Sequence, residues 1–268
     1  MRARKPKNTD WKLSMYAEAL VKDPCAHRGA WLDDFAPSAR ELHVDLGCGK
    51  GAFSVDSAFA CPYALFIGID VEPICISNAM EKAVAAGASN AYFVLEQVGR
   101  LDEMFAEGEI DAIHLNFSTP LPKRKHAERR LTYLDNLMLY RRVLAPDGRI
   151  FMRTDNEYFF DFSLTQFDLA GYELVWLTRD LHAEGLVEVQ TEYEKALSEK
   201  GARICALEAR MGECPADPVQ TAELSLAEYL PDDLDTIGHL PYGMEDTIIN
   251  IRNRRAREQR KARAVARR

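Results

Sequence analysis

A chain of 268 residues, 47% hydrophobic and with a formal net charge of −8, is long enough to bury most of its apolar surface in one large domain or one domain plus an appendage. Its apolar runs fall well short of the ~20 residues that a membrane span needs, and the start, MRARKPKNTDWK, lacks the apolar core of a signal peptide, so a cytoplasmic protein without membrane contact is expected. The six cysteines (Cys25, Cys48, Cys61, Cys75, Cys205, Cys214) include no C-x-x-C pair and the six histidines no H-x-H or H-x-x-x-H pair, which argues against a bound metal and against a disulfide framework.

The charge is unevenly spread. Residues 252–268, RNRRAREQRKARAVARR, hold nine basic residues and one acidic one, and residues 1–7 hold four basic ones. The two ends therefore carry +12, and the body between them carries −20 to reach the net −8. An acidic body repels a polyanion, so any nucleic-acid contact has to run through the basic ends and the cluster at residues 123–130. The competing reading of such a tail is a solvated, disordered end.

In chain order, the strand candidates are ELHVDLG (41–47), ALFIGID (64–70), AYFVLEQ (91–97), EIDAIHLNF (109–117) and GRIFMRTD (148–155). Most are continuously apolar, as buried parallel strands are. Helical patterns lie between them. The clearest covers residues 127–144, with Leu131, Leu134, Leu137 and Met138 on one face, and the type I turn sequence Ala145-Pro146-Asp147-Gly148 ends it. Two later strands, YELVWLTRDL (172–181) and ARICALEARM (202–211), are placed to close the sheet edge, and residues 212–251, rich in Asp, Glu and Pro, read as an appended linker or small subdomain. The alternation implies an α/β fold, an open and mostly parallel sheet with right-handed crossovers and helices on both faces.

Ligands of such sheets bind at the carboxyl ends of the strands. VDLGCGKGAF places Gly47, Gly49 and Gly51 at the first strand-to-helix turn, where missing side chains let a ligand approach the backbone. Asp70 ends the second strand, nineteen residues past Gly51, a suitable place for a carboxylate that accepts both hydroxyls of a ribose. These features imply a nucleoside-containing cofactor. The spacing alone leaves two choices open, because G-x-G-x-G resembles an S-adenosylmethionine loop while Gly47, Gly49 and Ala52 also satisfy the dinucleotide fingerprint. Asp45 favours the methyl donor: a carboxylate beside the loop suits a cationic amino-acid end and repels a pyrophosphate.

The fourth strand runs into LNFSTPLPKRKHAERRLTY, which resembles the signature NFxDPWPKxxHxKRR of the bacterial tRNA (guanine-N7)-methyltransferase family. MRARK, DLGCGKG, GID, RTDN and TEYEKALSEKG follow in the family's order. The resemblance covers residues 1–211 and implies a Rossmann-like class I S-adenosylmethionine methyltransferase domain with a basic N-terminal arm; residues 212–268 form a C-terminal extension that ends in the basic tail. It implies that Asp45, Gly47, Gly49, Gly51 and Asp70 hold S-adenosylmethionine, and that Lys123, Asp155, Thr191 and Glu194 meet tRNA at a guanine of its variable loop. Monomer and homodimer both remain open.

Three positions depart from the family pattern. Gln97 stands where an Asp or Asn meets the adenine, Thr119 where the signature Asp is usually assigned the catalytic role, and Leu121 where the Trp stands. Thr119 is retained as a catalytic and cofactor-side position and Asp155 as a replacement carboxylate, with Glu194 behind it. Guanine N7 has an unprotonated lone pair at neutral pH, so its methylation needs placement more than a base, and His126 needs no catalytic role. Pro120 and Pro122 stiffen the turn, and Lys123, Arg124, Lys125, Arg129 and Arg130 are read as phosphate contacts. For Asp155, and for Thr191 with Glu194, helix capping is the competing reading. A binding protein derived from such an enzyme, holding tRNA or a partner chain, is the second functional class that Thr119 and Leu121 permit.

Overall fold

The computed structural model describes residues 8–185, 189–241 and 243–266. The expected basic arm, residues 1–7, and the last two arginines lie outside these residues. The helices are α1 (Thr9–Met15), α2 (Trp31–Phe35), α3 (Ala52–Ala60), α4 (Pro73–Ala86), α5 (Leu101–Met104), α6 (Leu134–Val143), α7 (Glu157–Leu169), α8 (Glu192–Glu199) and α9 (Glu245–Ala266). The strands are β1 (Glu41–Leu46), β2 (Ala64–Asp70), β3 (Ala91–Leu95), β4 (Ile110–Asn116), β5 (Leu144–Thr154), β6 (Tyr172–Thr178) and β7 (Cys205–Met211).

Seven strands form one sheet in the order β3-β2-β1-β4-β5-β7-β6. β1 to β5 pair in parallel, while β7 runs antiparallel between β5 and β6. Strand side chains alternate between faces, and here the alternation fills two cores. Leu65, Ile67 and Ile69 of β2 enter the main core with residues of α5, α6 and α7. Ala64 and Phe66 enter a second layer with Ala58 of α3, and Phe93 of β3 packs with Ile76, Met80 and Ala83 of α4. Both faces are therefore covered by helices, which is why β2 is apolar without a polar alternate. Beside β3, Val21 donates its amide to the Phe93 carbonyl, so the N-terminal segment covers that edge.

Three boundaries differ from expectation. The helix expected over 127–144 begins only at Leu134: a short 3-10 turn spans Arg124–Arg129, and Arg130 and Tyr133 are extended. The cause is capture of backbone carbonyls by side chains, since Asn136 donates to the Arg130 carbonyl and the Tyr140 hydroxyl to that of Leu131. The strands expected over 172–181 and 202–211 are shorter, ending at Thr178 and starting at Cys205. The turn expected over Ala145–Gly148 is not formed as such: α6 ends at Val143, and these residues belong to β5 as an irregularity in its pairing with β4, where the partner of Ile110 is Leu144 and that of Ala112 is Arg149.

Residues 212–251 do not stand apart as a linker or subdomain. Leu226, Met244 and Ile248 are buried in the main core with residues of β4, β5 and α7. The extension crosses the turn after β4: the Leu226 amide donates to the Pro122 carbonyl at 3.0 Å, and a Cβ on Gly243 would sit 2.8 Å from Pro120 Cγ.

Candidate active site

The order β1-β4 at the sheet centre is a topological switch, where the chain leaves β1 toward β2 on one side and returns to β4 on the other. Ligands of open α/β sheets bind at such a point, and five of the expected residues gather at the strand ends around it.

Asp45, near the end of β1, is almost wholly buried. Ser54 of α3 donates to its Oδ2 at 2.7 Å, whereas Oδ1, like the nearby Asn116 Nδ2, is buried and completes no hydrogen bond. Burial raises the Asp45 carboxyl to about 6, opposed by the Ser54 hydroxyl and by the Asn116 side-chain amide, which approaches the carboxylate without completing a hydrogen bond. A buried carboxylate with an uncommitted oxygen is costly to the fold, and a cationic ligand group would offset that cost.

The glycines of the loop do different jobs. Gly51, with φ +71°, caps α3, and a Cβ there would lie 2.6 Å from Ala79 Cβ and 2.9 Å from the Phe93 ring. That glycine is needed by packing. Gly49 has φ +56° and open space where a Cβ would point, so its backbone is bare toward the strand ends. Gly47 and Cys48 donate their amides to the Ile69 carbonyl at 2.8 and 3.1 Å, tying the loop to β2.

Asp70 is part-buried, and burial raises its carboxyl. Its Oδ2 accepts from Gly49 N at 3.0 Å and its Oδ1 from Glu72 N at 2.9 Å. A carboxylate has about four acceptor positions, so after ordering the loop Asp70 retains capacity for two ribose hydroxyls. The orphaned Asp45 oxygen, the bare Gly49 and the remaining capacity of Asp70 together fit S-adenosylmethionine. Gln97 is exposed just past β3, which ends at Leu95.

The turn after β4 is strained. Phe117 and Leu121 have φ of +49° and +46°, left-handed values that cost a non-glycine residue free energy and concentrate at functional sites. Thr119 and Lys123 are exposed on this turn, with Arg124, Lys125 and Arg129 exposed beyond it. Arg130 is not: it is fully buried, donating to the carbonyls of Pro120, Leu121 and Leu224 at 2.8 to 2.9 Å, with its guanidinium 4.2 Å from the Phe162 ring centroid. Burial lowers it to about 10, so it stays charged at neutral pH. The reading of Arg130 as a phosphate contact is corrected: it is the internal brace of the turn, because the carbonyls of Pro120, Leu121 and Leu224 lie outside any helix or strand and need a donor.

At the end of β5, Asp155 is buried and its Oδ2 lies 3.5 Å from His239 Nε2 of the extension. The cap of α7 is its neighbour Asn156, which accepts from Phe159 N. Thr191 does cap α8, accepting from Glu194 N at 3.2 Å. The Glu194 carboxylate is fully buried between Arg153 at 3.4 Å and His182 at 3.2 Å. Burial raises its carboxyl, with Arg153 and His182 opposing. Between Thr191 and Glu194, Tyr193 packs edge-on against Phe117 of the turn after β4, with ring centroids 5.2 Å apart, so the start of α8 lies beside that turn.

The structure adds three polar residues to the set. Asn116 stands in the signature itself, at its first position, and was legible there. Ser118, whose buried hydroxyl has no hydrogen-bond partner, carries no signal in the sequence that would single it out. His239 comes from the extension, where no motif signalled it. Among the described residues no group of three His, Cys, Asp or Glu side chains could hold a metal ion, and no helix is long and apolar enough to cross a membrane.

A protein-family model described as "Putative methyltransferase" matches residues 39–207. A tRNA (guanine-N(7)-)-methyltransferase of Geobacillus kaustophilus is 40% identical over 207 residues, 76% of this chain and 95% of that protein. One from Lactococcus lactis subsp. cremoris is 40% identical over 215 residues, 78% of this chain and 98% of its own. Among solved structures, the 16S rRNA methyltransferase KamB superposes with a TM-score of 0.52 at 14% identity, covering 69% of this chain and 94% of its own, a likeness of fold. With a family model over most of the chain and relatives at this identity along nearly their whole length, the chain belongs to the tRNA (guanine-N7)-methyltransferase family.

Proposed function

We propose that this protein methylates N7 of a guanine in tRNA, in the variable loop, with S-adenosylmethionine as methyl donor. The observation that carries the reading is the buried Asp45 with its uncommitted oxygen, set beside Gly49 and Asp70 at the strand ends and followed by the signature turn of Thr119–Lys123. A protein that only bound RNA would gain nothing from that costly carboxylate.

Bound S-adenosylmethionine supplies an electrophilic methyl on a sulfonium. Held by Asp45, the Gly49 loop and Asp70, it would place that methyl against the unprotonated N7 lone pair, and its transfer would leave the positive charge on the purine. No proton has to leave N7, so no general base is required and positioning supplies most of the rate. Asp45 balances the cationic amino-acid end, Asp70 accepts the ribose hydroxyls, and Gln97 meets the adenine edge. Thr119 offers a hydroxyl where the signature has an Asp. Asp155 accepts from the guanine N1–H and exocyclic amine and stabilises the charge that develops on the base. Lys123 takes a phosphate. Thr191 and Glu194 order the start of α8, Glu194 through Arg153 and His182.

Labelled S-adenosylmethionine incubated with the protein and unmodified tRNA, against a 16S rRNA transcript, tests the reading. Label in tRNA and none in the rRNA supports it; label in rRNA alone overturns the substrate. A second reading, a relative that holds tRNA with little transfer, is favoured by Thr119 in place of the signature carboxylate and by the cover of His239 over Asp155. It requires S-adenosylmethionine and tRNA to bind without incorporation.

A further inference from the structure

α9 is the largest feature that the methyl-transfer site leaves unexplained. It lies past residue 207, where the family model ends, and its 22 residues make a rod of about 33 Å. Its root is firmly set. Gly243 packs on Pro120, Met244 and Ile248 enter the main core, and Arg252 and Arg255 donate to the carbonyls of Leu234 and Asp232.

At about 100° per residue, Ile248, Arg252 and Arg255 fall within about 60° of one another, on the face held to the body. Arg254, Arg257 and Arg260 fall on the opposite half of the helix, and all three are exposed. A helix that presents cations three residues apart on its outer face is destabilised by its own repulsion. It stands on a body of charge −20 but starts beside the turn Lys123–Arg129, where Lys123, Arg124, Lys125 and Arg129 are also exposed. The root of the basic helix and the basic turn thus meet at Pro120.

We propose that α9 is a second tRNA-binding element, an arm whose outer face of Arg254, Arg257 and Arg260 takes the phosphate backbone of the tRNA whose guanine is presented at the strand ends. The proposal rests on the tRNA methyltransferase reading above. The arm supplies affinity and orientation without reading sequence, and it offsets the repulsion of the acidic body. It touches neither the cofactor nor the reacting base.

The test uses the full chain with Arg254→Gln, Arg257→Gln and Arg260→Gln combined, and a companion with Lys at all three positions. A tRNA transcript is titrated at several salt concentrations, and S-adenosylmethionine affinity and turnover at saturating tRNA are measured in parallel. The Gln variant is expected to bind tRNA at least tenfold more weakly, with a slope of log affinity against log salt shallower by about 2 to 3, roughly one unit for each phosphate that is no longer neutralised. Cofactor affinity and saturated turnover stay unchanged, and the Lys variant retains the native slope. An unchanged affinity and slope in the Gln variant overturns the arm. So does a variant that changes only self-association by sedimentation, which would assign α9 to a second copy of the chain. If native protein transfers no methyl while its tRNA binding still depends on the three arginines, the methyltransferase reading fails and the arm stands.

Discussion

His239 Nε2 lies 3.5 Å from Asp155 Oδ2, so a residue of the C-terminal extension covers the carboxylate that ends β5. A guanine that reaches Asp155 has to displace that imidazole. His239→Ala is therefore expected to lower the KM for tRNA several-fold with S-adenosylmethionine affinity unchanged. Steady-state kinetics with a tRNA transcript check this, and a raised KM would instead make His239 a substrate contact.

Asp45 makes a prediction with two signs. Its carboxyl is raised to about 6 by burial, above its ordinary 3.8, so the ionised form disfavours the folded state. That cost is present above pH 6 and is relieved as pH falls toward 4; two pKa units correspond to about 3 kcal/mol. Asp45→Asn is thus expected to raise the melting temperature of the cofactor-free protein at pH 7 while weakening S-adenosylmethionine binding at least tenfold. In the native protein, cofactor affinity should fall as pH drops through 6. Calorimetry at pH 5 and pH 8 with equal affinities would contradict the role.

Lys123 and Thr119 share the exposed side of the turn but act differently. Lys123→Ala should weaken tRNA binding and make its salt slope shallower by about one phosphate equivalent. Thr119→Asp should leave tRNA affinity nearly unchanged and hold or raise turnover. Filter binding across salt concentrations, paired with single-turnover rates, separates the two effects.

Arg130 predicts a stability defect rather than a binding one. Removing it in Arg130→Ala leaves the carbonyls of Pro120, Leu121 and Leu224 without their donor and should destabilise the fold by about 3 kcal/mol or more. Urea unfolding measures that directly. An unchanged midpoint together with a shallower tRNA salt slope would return Arg130 to the phosphate contacts.

What the sequence revealed, and what it hid, follows from the range of the interactions. β1 to β4 and the residues at their ends were legible because burial on both faces writes a continuous apolar run and the loop glycines answer to local backbone geometry. Arg130 was not legible. It stands among exposed Lys123, Arg124 and Arg129 with the same charge, and its partner Leu224 is 94 residues away. The late start of α6 was hidden for a similar reason: Leu131 keeps the helical spacing, but the Asn136 and Tyr140 side chains hold the preceding carbonyls out of the helix. Residues 212–241 gave no periodic signal because they pack through isolated residues, Leu226 and Leu234, along a path without an α-helix or strand.

Thr119 stands where the signature that this chain resembles has an Asp, and methyl transfer to guanine N7 is proposed to proceed without that carboxylate. Nucleoside analysis of unmodified tRNA after incubation with the native protein and S-adenosylmethionine tests it most directly. 7-Methylguanosine is expected from the native chain, at a level lowered by Lys123→Ala and by Asp155→Ala. Tight S-adenosylmethionine binding with no 7-methylguanosine from either the native chain or Thr119→Asp would contradict it.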